Sequence, residues 1–148
     1  MKSILDNIGF AYLFLDTVVF KDGVLTINLV SASRLDESTD LEVSEGHVIN
    51  NCYSVGVDEN SISYKVVFDD TVSYQVIGET ANIWQDNKAD DSGVITLISE
   101  SPLQDYLHKK TLMYLVTTGE ISHYCVATAD EWLHVFSRSE PIVLEQHA

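Results

Sequence analysis

His123, Cys125 and His134 are the residues whose types and spacing could do chemistry. A thiolate and two imidazoles can hold Zn²⁺, and a thiol beside an imidazole can serve as a nucleophile with its base. Either use requires the three side chains to leave one surface together. Residues 120–128 and 131–137 read as two strands flanking Ala129-Asp130, a hairpin signal. Pairing about that turn sets Cys125 opposite His134 and places His123 on the same face, with Trp132 and Phe136. Tyr124, Val126, Leu133 and Val135 take the other face.

The constellation is incomplete for both chemistries. A structural zinc site usually needs four ligands, and the chain has no C-x₂-C or H-x₃-H spacing. A catalytic thiol needs an oxyanion hole, for which the sequence carries no signal. Residue statistics favour a plainer reading, in which Cys125 is a small buried hydrophobe and the histidines sit at the sheet rim. Cys52 reads as packed and inert, His47 and His108 as exposed, and His147 as part of the tail. Asp86, Asp90 and Asp91 hint at a calcium loop, but Lys88 stands at its third position and Asp91 where the sharp-turn glycine belongs. No P-loop, dinucleotide fingerprint, G-x-S-x-G or H-E-x-x-H occurs, so no cofactor is implied.

A second candidate is electrostatic. Asp36, Glu37, Asp40, Glu42 and Glu45 crowd residues 34–46, against Arg34 as the one cation. Their mixture with Ser and Thr reads as a solvated connection between two β units. The whole 148-residue chain carries 23 acids and 8 bases, a net charge of -15 shared almost evenly between its halves. Such a field attracts basic partners and speeds encounter with them. Eight scattered cations cannot neutralise a phosphate track, which argues against direct nucleic-acid binding.

The elements that must position these residues are mainly strands. The segments at 12–21 and 24–31 flank Asp22-Gly23, the pair that a type I′ turn prefers. That turn puts Phe14, Val18 and Phe20 on one face with Leu25, Ile27 and Leu29. Residues 48–57, 62–68 and 72–77 alternate in turn, and they read as a three-stranded meander with Val72, Tyr74 and Val76 on its core face. Short strands at 94–98, 111–118 and 141–145 complete the set. One helix has a clear start near 102–110, where Ser101, Pro102 and Gln104 stand at N-cap, N1 and N3. Trp84 and the tyrosines could line a cavity between a curved sheet and this helix.

The fold class that follows is α+β and mostly antiparallel: one domain of about nine or ten strands in meanders, forming a curved sheet, partial barrel or two sheets. With 45% apolar residues the chain can bury a core, and two cysteines cannot build a disulfide framework. The apolar run at 8–20 contains Asp16 and is shorter than the roughly 20 residues of a membrane span. Lys2 is the only cation before it and Asp6 sits in the would-be charged region, so no secretory signal is read and a cytoplasmic location is expected. The favoured function is a non-catalytic acidic binding protein, of immunity or inhibitor type, engaging a basic protein. The alternatives are a small-molecule carrier with an aromatic-lined pocket and a Cys/His metal or thiol enzyme. A monomer, or a homodimer through a strand edge at 12–20 or 142–144, is expected.

Overall fold

The Asp22-Gly23 turn forms as its residue types require, with φ of 52° and 83°. In this computed structural model, which describes residues 2–81, 88–89, 93–116 and 118–146, it joins β1 (Leu13–Lys21) to β2 (Val24–Ser31). Lys21 faces Val24, and the register continues to Thr17 opposite Asn28. There the ladder slips past Asp16, and Leu15 meets Leu29. This bulge inverts the alternation before it, so Leu13 and Leu15 line the core where Phe14 was expected, while Val18, beyond the bulge, faces the core as expected. Phe20 is exposed at the end of β1, with its ring 5.5 Å from that of Tyr74.

The expected meander does not form. β3 (Ser33–Ser44) and β4 (His47–Gly56) pair with each other as a separate two-stranded ribbon. The acidic segment expected as a connection is therefore itself a strand. β5 (Ser63–Phe68) pairs with β2, which sets Phe68 beside Leu25, Val66 beside Ile27 and Tyr64 beside Leu29. Those pairs join two apolar faces into one, whereas Val48, Ile49, Tyr53 and Val55 of β4 remain exposed. β6 (Thr71–Gly78) leaves this sheet altogether and pairs with β10 (Glu131–Ser137). On that edge strand Tyr74 and Val76 are exposed, and the core-face assignment made for them fails.

Two sheets enclose the core. One has the order β1-β2-β5-β11, where β11 (Ile142–Gln146) and β1 are the edges. The other has the order β6-β10-β9-β8-β7, with β7 (Lys88–Ala89), β8 (Ile95–Glu100) and β9 (Ser122–Ala127). Every pairing is antiparallel. Leu25, Ile27, Val66 and Phe68 from the first sheet meet Ile95, Val126, Leu133 and Val135 from the second, and the Phe68 and Tyr124 rings lie 5.4 Å apart. Leu5, from a 3₁₀ turn at Ile4–Asn7, is fully buried among them.

Helix α1 (Pro102–Lys110) starts where its signals place it, with Ser101 Oγ accepting the Gln104 N–H at 3.1 Å. The Gln104 side chain donates instead to the Ile121 carbonyl at 3.3 Å, so the reciprocal half of the capping box is absent. The strand expected at 111–118 is replaced over Met113–Val116 by a short helix, α2. Thr111 explains the change: its hydroxyl donates to the Leu107 carbonyl and accepts the Met113 N–H, ending one helix and starting the next. Trp84, Asp86, Asp90, Asp91 and His147 lie outside the described residues.

This packing separates the body from the ribbon energetically. Phe68→Ala should cost about 3–5 kcal/mol of unfolding free energy, as for large aromatic truncations in cores. Leu41→Ala, on the ribbon, should cost less than about 0.5 kcal/mol. Urea denaturation of the two variants measures both, and equal costs would contradict a core that excludes the ribbon.

Candidate functional site

β9 and β10 pair in the register read from the sequence, with Cys125 opposite His134 and Phe136 opposite His123. Tyr124, Val126, Leu133 and Val135 point into the inter-sheet core. His123, Cys125, His134 and Phe136 occupy the outer face of the same sheet, yet all four are buried. The histidines are therefore not rim residues: each is only 1% exposed. His123 Nε2 and His134 Nδ1 are 2.8 Å apart, and the His123 ring stacks on Phe136 at 4.4 Å.

The hydrogen bond constrains the protons. His123 Nδ1 is buried with no hydrogen-bond partner among the described residues. An orphaned lone pair is easier to tolerate than an orphaned N–H, which assigns His123 as the donor from Nε2 to His134 Nδ1. Burial, reinforced by the neighbouring imidazole of His134, pushes His123 from 6.5 down to about 3. Burial lowers His134 as well. It also pushes the Cys125 thiol up to about 12. At neutral pH this face thus presents two neutral imidazoles and a protonated thiol. A thiol in that state is a poor nucleophile and a poor metal ligand. Among the described residues, no set of three or more His, Cys, Asp and Glu side chains is placed to hold a metal ion.

The acidic candidates have the opposite environment. Asp36, Glu37, Asp40 and Glu42 lie along β3, and Glu45 is in the Glu45-Gly46 turn to β4; all are exposed. Asp40 Oδ1 accepts the N–H of Asn51, which has φ of 56° at a break in the β4 register. Arg34 sits 3.8 Å over the Tyr53 ring, so the one cation of this segment is already engaged. Around the carboxylates, Leu41, Val43, Val48 and Ile49 are between 50% and 59% exposed. The ribbon was missed because its charges suggested a loop. Glu45-Gly46 between Leu41, Val43 and Val48, Ile49 is nonetheless a hairpin signal.

The groove between α1 and the end of β8 is lined by polar residues, Tyr114 being its one aromatic among the described residues. An apolar pocket among the described residues lies where Phe10, from a 3₁₀ turn at Phe10–Tyr12, approaches Trp132.

No protein family model, curated protein or solved structure matches this chain. Within the described residues no helix is long and apolar enough to cross a membrane.

Two measurements test the buried face. Because folding holds both imidazoles neutral, the unfolded chain binds more protons below pH 6.5, the ordinary histidine value. Stability is therefore full above pH 6.5 and falls as pH drops toward the folded value of His123, by about 1.4 kcal/mol per pH unit for that residue. Denaturation between pH 7.5 and about 5, above most carboxylate titration, should show at least this slope below pH 6.5, while NMR shows His123 still neutral. Protonation of His123 near pH 6 in the folded chain would refute the arrangement. In a separate assay, iodoacetamide at neutral pH should leave Cys125 unmodified until the protein unfolds.

Proposed function

We propose that this chain is a non-catalytic binding protein whose acidic β3–β4 ribbon engages a basic protein partner, in the manner of an inhibitor or immunity protein. The observation that carries this reading is the ribbon's combination of surfaces. Its carboxylates stand beside apolar side chains that the body of the protein does not cover. An isolated two-stranded hairpin is marginally stable in water, so an extended apolar ribbon gains most from a surface that covers it. A second copy of a chain with net charge -15 brings repulsion to that contact, whereas a cationic surface brings attraction. The His123, Cys125 and His134 face supports the non-catalytic side of this reading, since its groups are buried and uncharged at neutral pH.

The test begins with affinity capture from source cells at low and high salt, using an unrelated acidic protein as control. A specific partner should then bind the triple variant Asp36→Lys, Glu37→Lys, Glu42→Lys at least tenfold more weakly, about 1.4 kcal/mol. Asp40 is left in place because it holds the Asn51 backbone. The thermal midpoint should move by less than about 3 °C, as expected for a change under 1 kcal/mol. Unchanged binding of that partner removes the ribbon from the interface.

A further inference from the structure

The Phe10–Trp132 pocket is held open by an anchored segment. Asp6 Oδ1 accepts the Val94 N–H at 2.8 Å and Oδ2 accepts the Ser3 N–H at 2.6 Å. Asp6 approaches Gly93 so closely that a Cβ there would lie 2.7 Å from Oδ1. A residue with a side chain at position 93 would force this contact apart, so the glycine is what lets the N-terminal segment dock on the second sheet. Docked in this way, the segment places Phe10 with its ring centroid 6.3 Å from Trp132 and tilted by 58°. Between that segment and the outer face of the sheet lies a partly enclosed pocket of about 190 Å³, with Val94, Cys125 and Ala127 among its walls.

The chemistry of the walls selects the occupant. The Asp6 carboxylate is occupied by two backbone N–H groups, and the Thr96 hydroxyl donates to the Gly93 carbonyl at 3.1 Å. Cys125 contributes a neutral thiol beside the apolar groups of Val94, Ala127 and the Phe10 and Trp132 rings. None of the described lining residues is a cation, and among these walls a negative charge has no counter-ion. An apolar cavity of about 150 Å³ suffices for benzene. The space here is slightly larger, the size of one substituted ring. We propose that this pocket is a binding site for a neutral, single-ring aromatic molecule, held against the Phe10 and Trp132 rings over Cys125 and Ala127. Tilted aromatic walls suit edge-to-face contact with such a ring.

Fluorobenzene is the probe, titrated into the full chain and followed by ¹⁹F NMR. The expected result is saturable one-to-one binding, with nuclear Overhauser contacts from the probe to Phe10 and Trp132 ring protons. Benzoate, of similar size but charged, should bind at least tenfold more weakly. Ala127→Leu, which extends a side chain into the pocket, should lower fluorobenzene affinity at least tenfold. Non-saturable binding, contacts confined to other residues, or equal affinity for benzoate would each overturn the proposal. Should Ala127→Leu fail to fold, the contacts and the benzoate comparison in the unaltered chain still decide it.

Discussion

The corner between β5 and β6 is the constraint on which the two-layer arrangement depends. β5 ends at Phe68 in one sheet, and β6 begins at Thr71 in the other. In two residues the chain must change layers while keeping its backbone groups satisfied. The Asp70 carbonyl accepts the Arg138 N–H and the Ser137 hydroxyl, both at 2.9 Å, and its carboxylate meets the Arg138 guanidinium at 2.7 Å. The Thr71 N–H donates to the carbonyl of Gly23 at 2.7 Å. One short segment thus ties the first hairpin's turn to the end of β10. The ion pair itself is partly exposed and worth little. Its role is directional, whereas burial of Phe68 against Tyr124 supplies the energy.

This corner also marks where sequence reasoning loses its grip. Period-2 alternation says which residues share a face; it does not say which strand lies alongside. The Asp22-Gly23 hairpin and the β9–β10 register were legible because both are local and their turns determine the pairing. The meander was not, because β6 found its partner far away in sequence, Tyr74 with Val135, and because the charges of β3 disguised the local hairpin that takes up β4. Asp16 is a similar case at smaller scale: nothing in its neighbourhood announces the bulge that turns Leu13 inward in place of Phe14.

The candidate site divides in the same way. That His123, Cys125 and His134 share a face follows from local register. That the face is buried depends on the fold as a whole, including a docked N-terminal segment more than a hundred residues away in sequence. The environment then decides the chemistry. Groups that would be reactive at a wet sheet surface become neutral and quiet once desolvated, and no residue type or spacing encodes desolvation.

The irregularities of the ribbon have a consequence for its life in a crowded solution. A flat two-stranded ribbon with exposed Leu, Val and Ile is the shape that templates endless strand addition. This one is interrupted three times, near 35–37, at Asn51 and at Val43. Each interruption twists the edge away from regular pairing, and the carboxylates of β3 oppose the approach of a like ribbon. The residues that leave an apolar surface exposed thus sit on a backbone whose irregularity disfavours regular strand addition. Resistance to edge-to-edge stacking is written in the misregistered backbone as well as in the carboxylates.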